Sequence, residues 1–490
     1  MFKKINALFG AQDMTLGRPM SALLRFSIPL LVGNLAQQMY STVDSVIVGR
    51  YVGDKALSAI GTTLPIINLL LVLFMAVSTG AGIMVAQYYG AKAKESLSRS
   101  IGNAMTLVFV SSLLVMAVGI PLTGSLLRLT RTPVETFDMA RSYLTIILWG
   151  VLGLGLYNIV SGILRGLGNS VFPLLTLLLT SCLNIVLDIW FVAGLDMGVA
   201  GAAWATIISV AISAIVCIVK LWRMKDVVQI DAANLIPSKR LTGQLLRLGL
   251  PAGITQAVFS MSMVFVQALA NSMGYQVVTC TTAVMRIDGF AMMPNFTFGM
   301  AIATFVGQNI GADRMDRVHQ GSKDMLKVSL ITSFVLVASL LTFGKYLISM
   351  FTTTDEIINL GVRQIRILSA GYVAMAITQV YGGIMRGAGD TMPSMWISMF
   401  TTVVVRVPLA YLWAWLTRSQ EYPAYARQGP GAGPGRPRHA GPAGRRGRRR
   451  AGPAAGRAGP NRAGGTGITA QRGPQRGQRG GDRKSTRLNS

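Results

Sequence analysis

The sequence predicts an all-α membrane protein built from two homologous halves, and three observations support this fold class. Hydrophobic residues make up 51% of the 490 residues, charged residues make up only 13%, and the mean hydropathy is +0.49. Soluble domains carry about 25% charged residues, so this composition indicates a chain that lies in a bilayer. In addition, sequence from the first half recurs about 221 residues later, which indicates an internal duplication.

The repeat consists of three short patterns that occur in the same order in both halves. The pairs are LLRFSIP and LLRLGLP, VAQYYGAK and VGQNIGAD, and GILRGLGN and GIMRGAGD. Gln87 and Gln308 are 221 residues apart, as are Arg165 and Arg386. We interpret the two arginines as positive residues of short loops and the two glutamines as side chains that anchor loops. Duplicated membrane bundles are typical of secondary transporters that bind their substrate between the halves.

Eleven apolar stretches are long enough to cross a bilayer, which takes about 20 residues. Those of the first half are predicted at 26–48, 58–80, 101–123, 139–161, 172–193 and 199–221. Those of the second half are predicted at 248–270, 278–304, 326–348, 364–384 and 394–416. The predicted domains are an N-terminal lobe of six helices (1–221), a cytoplasmic linker (222–244) and a C-terminal lobe of five helices (245–423), which lacks a sixth.

Basic clusters in alternate loops predict the orientation of the chain. Lys and Arg cluster at 92–99, 220–240 and 314–327, each after an even number of predicted spans. The positive-inside rule places these loops and the N-terminus in the cytoplasm. We expect no cleaved signal peptide, because no small-residue cleavage site follows MFKKINALFG.

The segment 424–490 differs in composition from the rest of the chain. It is rich in Gly, Pro and Arg, with sixteen Lys or Arg against one acid, Asp482. Such a sequence cannot bury enough apolar area to fold, so we predict a disordered tail. One interpretation is a basic tail that binds nucleic acid or anionic lipid. We favour the other, a frameshifted or chimeric end, because DRKSTRLNS resembles a translated sequencing adapter, and we expect no nucleic-acid partner.

Two carboxylates fall inside predicted spans of the first half. Asp44 lies in the middle of the first span, and Asp188 lies in the fifth, four residues after Asn184. A carboxylate at that depth costs about 2.5–3.5 kcal/mol, so each requires a partner or a function. The spacing of Asn184 and Asp188 places both on one helix face. Carboxylate and amide oxygens suit a hard cation, and burial favours a protonated carboxyl, so ion binding, proton exchange and a structural clamp all stay open.

The second half offers fewer candidates for a functional site. Arg286 and Asp288 lie near the start of the eighth predicted span, and Arg406 lies inside the last one. Residues two apart on a helix do not face each other, so we expect Arg286 and Asp288 to pair with other helices. We expect Arg406 to face the lumen, where it either forms a structural pair or contacts a substrate.

Several longer segments carry a family resemblance. They are FSIPLLVGNLAQQMYSTVDSVIVGRYVG, YNIVSGILRGLGN and RIDGFAMMPNFTFGMAIATFVGQNIGA. Over roughly residues 14–422 their order and duplication resemble the multidrug and toxic compound extrusion (MATE) family, most closely its bacterial NorM/DinF-type members. The resemblance implies a monomeric antiporter of the bacterial inner membrane, with two lobes of six helices each. It also implies that the protein is not an enzyme and uses no cofactor.

The resemblance further implies export of cationic or amphipathic organic compounds in exchange for protons or sodium ions. The residues that match the family's ion or proton site are Asp44, Asp188, Asn184, Asn158 and Thr206. The resemblance implies that sodium, if it is the coupling ion, binds at Asp44, Asn184, Asp188 and Thr206. For Asn158 and Thr206, hydrogen bonding between helices is an equally good interpretation. The alternative function is a flippase for lipid-linked oligosaccharides, which needs a basic cavity that binds phosphate.

The first predicted span also contains a proline, Pro29. The resemblance implies that the helix bends at Pro29 when the nearby acid is protonated, whereas a proline at the helix start is the structural alternative.

The repeat does not extend to the acids of the proposed ion site. Val266 and Pro408 occupy the positions equivalent to Asp44 and Asp188. We therefore predict that the ion chemistry belongs to the first lobe alone.

Overall fold

The fold is given by a computed structural model. It describes the backbone of 11–412 except at residues 131, 230, 273, 274 and 353. Within this range, the side chains at 40–46, 48–50, 54, 57, 232, 268, 271, 272, 275 and 276 lie outside the described set. The predicted tail and the end of the last predicted span lie outside it as well.

The regular secondary structure of the described residues is entirely helical, and the helices fall into two groups. The first lobe consists of α1 (Pro19–Tyr51), α2 (Asp54–Gly90), α3 (Lys94–Leu129), α4 (Val134–Trp149), α5 (Val151–Gly166), α6 (Val171–Asp188) and α7 (Gly198–Arg223). The second lobe consists of α8 (Lys239–Ser272), α9 (Tyr275–Ala291), α10 (Met293–Gly311), α11 (Met315–Ser349), α12 (Asp355–Ala388) and α13 (Thr391–Met399). Two π-helices, Ile189–Gly194 and Phe400–Arg406, continue α6 and α13. A 3₁₀-helix, Ala232–Leu235, lies in the linker.

The described residues contain ten helical spans that are apolar and long enough to cross a membrane, and α4 with α5 forms an eleventh that is bent by 51°. This number agrees with the eleven predicted spans. The bend lies at Gly150, where a Cβ would lie 2.2 Å from Cγ2 of Ile207 in α7. The predicted class, an all-α multi-pass membrane protein of two lobes, is confirmed.

Each lobe has its own apolar core, and the outside of the helices is apolar as well. Phe74, Ile101 and Ile159 are fully buried in the first lobe, and Tyr372 is fully buried in the second. Large apolar side chains such as Leu179 are exposed on the periphery, as expected where lipid replaces water as the solvent. The polar groups inside the lobes are therefore the unusual ones, and they define the candidate sites.

Candidate transport cavity and ion site

A cavity of about 590 Å³ lies between the two lobes. Its walls come from α2 and α5 of the first lobe and from α8, α10, α12 and α13 of the second. Apolar walls are formed by residues that include Met75, Phe259, Phe296, Met300 and Met375. A volume of this size suits a drug-sized ligand, and flexible methionines suit ligands of varied shape.

Arg165 and Arg386 are the only charged side chains among the described residues that line this cavity. Both are half-buried, and neither guanidinium makes a hydrogen bond or an ion pair with a described residue. The interpretation of both as loop residues is wrong. Arg165 lies in the last turn of α5 and Arg386 in the last turn of α12, because these helices continue beyond the apolar sequence.

The Arg-Gly-x-Gly pattern of the repeat ends one helix in each lobe. Gly166 and Gly387 directly follow the arginines, and a Cβ there would lie 2.6 and 2.4 Å from a carbonyl oxygen of the neighbouring helix. Two residues later, Gly168 and Gly389 have φ angles of +80° and +88°. This left-handed conformation favours glycine and ends a helix. The pattern thus places each arginine beside a very close helix contact.

Gln87 and Gln308 join the two lobes. Nε2 of Gln87, in the first lobe, donates a hydrogen bond to the carbonyl of Gly387 at 3.0 Å. Nε2 of Gln308, in the second lobe, donates to the carbonyl of Gly166 at 2.9 Å. We call these four residues the interlobe latch. The glutamines were expected to anchor loops, but they lie in α2 and α10 and bind the glycine that follows each arginine.

The helices that carry the latch glutamines approach each other without a side chain between them. A Cβ on Gly90 would lie 1.9 Å from the carbonyl oxygen of Gln308, and a Cβ on Gly311 would lie 2.0 Å from that of Gln87. Backbone therefore packs on backbone at the ends of α2 and α10. The latch joins the lobes at this end, and one of its residues, Gly166, lines the cavity beside Arg165; we call this end the floor of the cavity.

The segment before α1 also connects the lobes next to the latch. The N–H of Gln12 donates to the carbonyl of Leu167 in the first lobe at 3.0 Å, and that of Met14 donates to Oε1 of Gln308 at 2.8 Å. The Arg317 guanidinium donates to three carbonyls, those of residues 14, 16 and 17, at 2.6–3.1 Å. These bonds strengthen the closed end.

A second polar region lies inside the first lobe, on α6. Its side chains recur every four residues and form a buried polar stripe on one face of the helix, made of Thr176, Thr180, Asn184 and Asp188. Asn184 and Asp188 are 1% and 0% exposed, whereas Leu179 is 64% exposed on the outward face. None of the four lines the cavity. The spacing of Asn184 and Asp188 does place both on one buried face.

The two residues at the end of the stripe have unusual surroundings. Neither amide atom of Asn184 has a hydrogen bond with a described residue. Asp188 ends α6, and the π-helix Ile189–Gly194 begins at the next residue. Buried polar atoms are nearly always bonded, and π-helical turns are often found at functional sites. The end of α6 therefore has the character of a binding site.

The other proposed ion-site residues lie elsewhere in the first lobe. Asn158 donates to the carbonyl of Leu154 at 2.8 Å, and Thr206 donates to that of Ala202 at 2.9 Å, both within their own helices. Asp44 belongs to α1, but its side chain lies outside the described residues.

Pro29 lies within α1, which begins ten residues earlier at Pro19. The alternative that it marks the helix start is therefore wrong. An interior proline removes the backbone hydrogen bond to the residue four positions earlier and allows a bend.

The second-lobe candidates do not gather at one site. Asp288 accepts a hydrogen bond from the hydroxyl of Tyr372, and Arg286 is exposed. Both lie near the end of α9, because the predicted eighth span consists of two helices rather than one. Arg406 is half-buried, and its guanidinium lies 5.1 Å from the ring centroid of Phe259.

The two halves of the repeat are both recognised by one family model. The MatE family model matches residues 29–190 and again residues 251–412. The chain belongs to the MatE family. It is thus a membrane-embedded efflux transporter by family, and the two matched stretches carry the Arg-Gly-x-Gly pattern of each lobe.

Several known transporters and probable multidrug resistance proteins are similar to this chain. YpnP, a probable multidrug resistance protein of Bacillus subtilis, is 31% identical over 83% of this chain and 91% of its own length. YoeA, also a probable multidrug resistance protein of Bacillus subtilis, is 29% identical over 80% of this chain and 86% of its own. A MOP superfamily transporter from Pyrococcus furiosus, described with a binding pocket of reverse polarity that suggests a different function, has a TM-score of 0.77 and 25% identity. That similarity covers 83% of this chain and 90% of the other.

The sequence did contain a signal for the residues that were misinterpreted in this MatE chain. Gln87 and Gln308, and Arg165 and Arg386, are polar residues that keep the same 221-residue spacing. Polar residues that recur in both halves of a duplicated bundle lie at equivalent places in the two lobes. Duplicated transporters form their sites where the repeats meet, so such residues are candidates for the interface between the lobes.

Proposed function

We propose that this MatE family member is a cation-coupled antiporter, which exports cationic or amphipathic organic compounds across the inner membrane in exchange for protons or sodium ions. The names of YpnP and YoeA support drug export. The observation that carries the proposal is the separation of two sites. A roomy cavity lies between the lobes, while the buried polar stripe of α6 lies inside the first lobe and contains Asn184, whose amide has no hydrogen bond with a described residue.

In this proposal the ion or proton binds in the first lobe. Asp44 and Asp188 supply carboxylates, Asn184 supplies an amide oxygen, and Asn158 and Thr206 assist from neighbouring helices. Sodium would bind at the same residues without Asn158, since hard cations prefer oxygen ligands. Coupling requires that ion and substrate favour different states of the transporter; otherwise neither affects the other.

The interlobe latch stabilises one of the transporter states that coupling requires. It lies beside the basic clusters at 92–99 and 314–327, which the positive-inside rule assigns to the cytoplasm. The lobes are therefore closed on the proposed cytoplasmic side, with the N-terminus also inside. Export requires this end to open, so that a compound can enter from the cytoplasm.

The experiment is export of rhodamine 6G by the full chain in energised inverted vesicles. We expect export that collapses when the ion gradient is dissipated, and replacement of sodium by choline at fixed pH separates sodium from proton coupling. Asp44→Asn should abolish gradient-dependent export while the protein still inserts in the membrane. Export that persists without any ion gradient would show that the antiport proposal is wrong.

We further propose that α1 bends at Pro29 during the cycle. The helix passes from the lobe interface, where Asn34 donates to Thr297 at 3.0 Å, to the region of Asp44. Pro29→Ala restores a backbone hydrogen bond and should slow export, whereas Pro121→Ala in α3 should not. Equal export rates for the two variants would rule out the bend.

One observation favours a second candidate function. The cavity contains two arginines and no carboxylate among its described lining residues, as expected for a flippase that binds a phosphate. The experiments below distinguish a lipid phosphate from a soluble acid.

A further inference from the structure

Among the described residues, the charged side chains that line the central cavity are all positive. Arg165 comes from the first lobe and Arg386 from the second, and they are equivalent residues of the repeat. No Asp or Glu is found among the described lining residues. Two cations that face one cavity repel each other and repel any cationic part of a compound, so this arrangement favours an anion between or beside them.

Neither guanidinium is committed to another part of the protein. Charged side chains inside a membrane protein usually pair with each other or mark a substrate pathway, because an unpaired charge is costly there. Arg165 and Arg386 have no hydrogen bond or ion pair with a described residue, so their planar donor groups are available. Guanidinium groups bind carboxylates and phosphates through two parallel hydrogen bonds.

The glycines around Arg386 leave room for its guanidinium. A Cβ built on Gly382 would lie 3.2 Å from Nη1, and one built on Gly299 would lie 3.4 Å from Nη2. The guanidinium therefore packs over two bare backbone positions, one on its own helix and one on α10. This packing holds the group at the cavity wall without using any of its donors.

We propose that Arg165 and Arg386 form an anion subsite at the floor of the cavity, which binds the acidic group of an amphipathic substrate. The acidic group is a carboxylate, sulfonate or phosphate. The apolar body packs against the methionine and phenylalanine walls higher in the cavity. This inference rests on the proposed export function and adds to it a preference for compounds that carry an acidic group, with or without a cationic one.

The subsite lies where binding can affect the lobes. Each arginine directly precedes the glycine whose carbonyl accepts the latch hydrogen bond from the opposite lobe, namely Gly166 and Gly387. An anion held by both arginines links α5 of one lobe to α12 of the other. Substrate binding therefore acts on the same helix ends that the latch holds together.

The test uses two dyes that differ only in the acidic group. Rhodamine B carries a free carboxylate, and its ethyl ester does not. Fluorescence anisotropy with the purified full chain should show that rhodamine B binds at least about tenfold more tightly than its ethyl ester, because hydrogen bonds between charged groups are stronger than those between neutral groups. Arg165→Gln and Arg386→Gln should each weaken binding of rhodamine B about tenfold and should not weaken binding of the ester, which has a net positive charge.

The control is Arg366→Gln, because Arg366 is on α12 like Arg386 but is exposed and does not line the cavity. Arg165→Lys and Arg386→Lys keep the charge and should retain part of the preference. Equal binding of the two dyes, or an unchanged preference in a folded double glutamine variant, would overturn the anion subsite.

Transport and competition separate the remaining possibilities. In energised vesicles, export of the ester but not of rhodamine B would overturn the subsite and leave the proposed export function standing. Arginine-dependent binding of rhodamine B, with export of neither dye, would support the subsite and contradict the export function.

Competition for the bound dye identifies the source of the anion. The competitor is dioctanoyl phosphatidic acid, and dioctanoylglycerol is the uncharged control. Displacement of the dye by the phosphatidic acid alone supports a lipid phosphate, and no displacement supports a soluble acid.

Discussion

Both lobes bury an asparagine inside the membrane-spanning region, and their hydrogen bonding differs. Asn295, in the second lobe, donates to the carbonyl of Tyr372 at 3.3 Å and accepts from Ser333 at 3.1 Å and Ser329 at 3.4 Å. Asn184, in the first lobe, has no hydrogen bond with a described residue. A satisfied amide ties helices together, whereas an unsatisfied one costs stability and is retained where a ligand needs it.

The carboxylates of the two lobes differ in their burial and their position. Asp288 of the second lobe is half-buried and accepts a hydrogen bond from Tyr372. Asp188 of the first lobe is fully buried at the junction of an α-helix and a π-helix. The repeat has Pro408 where the first lobe has Asp188. The comparison supports ion chemistry in the first lobe and structural bonding in the second.

The two lobes are alike where they touch. The glycines, glutamines and arginines at the floor of the cavity keep the same spacing in both halves, and the latch hydrogen bonds form a symmetric pair. The two halves therefore keep the same polar residues and glycines at the lobe interface and differ in their polar residues inside the lobes. The following changes test this distinction.

The largest effect is expected from filling the contact between α2 and α10. Gly90→Ala places a Cβ 1.9 Å from a carbonyl oxygen of the other lobe. We expect a loss of about 3 kcal/mol or more in unfolding free energy, seen as a lower Tm in detergent, together with loss of export. Gly61→Ala, on the same helix with no atom within 4 Å of the added Cβ, is the control. Equal Tm values for the two variants would contradict the close contact.

An intermediate effect should distinguish the two buried amides. Asn295→Leu leaves the hydroxyls of Ser329 and Ser333 without their acceptor and should destabilise the protein by about 1–3 kcal/mol. Asn184→Leu removes an unbonded amide and should leave Tm unchanged or raise it, while it reduces export. Thermal unfolding and dye export measured on the same preparations test both. A similar fall in Tm for the two variants would remove the contrast between the lobes.

The smallest effect should come from the latch. Gln87→Leu and Gln308→Leu each remove one hydrogen bond between the lobes, which contributes about 0.5–1.5 kcal/mol. Gln308→Leu also removes the acceptor of the Met14 N–H, so it should lower Tm more than Gln87→Leu does. An unchanged Tm in either variant would show that its hydrogen bond between the lobes does not stabilise the protein.

The sequence was sufficient for the repeat, the eleven spans and the buried face that Asn184 and Asp188 share, since these follow from hydropathy and helical periodicity. It was not sufficient for the floor of the cavity. Hydropathy ends a span where polar residues begin, and therefore placed Arg165 in a loop and Gln87 at the end of its span as a loop anchor. Their helices continue, because contacts between the lobes satisfy or enclose these polar groups. Partners that lie about 220–300 residues away in the chain cannot be read from local sequence.

The most direct test of ion coupling in the first lobe compares Asp188→Asn with Asp288→Asn. Both changes remove one carboxylate charge and keep the side-chain shape, and both proteins can be assayed in energised inverted vesicles at matched expression. Asp188→Asn should abolish gradient-dependent dye export, whereas Asp288→Asn should retain most of it and lower Tm modestly. Abolished coupling in Asp288→Asn, with normal coupling in Asp188→Asn, would contradict the assignment of the ion site to the first lobe.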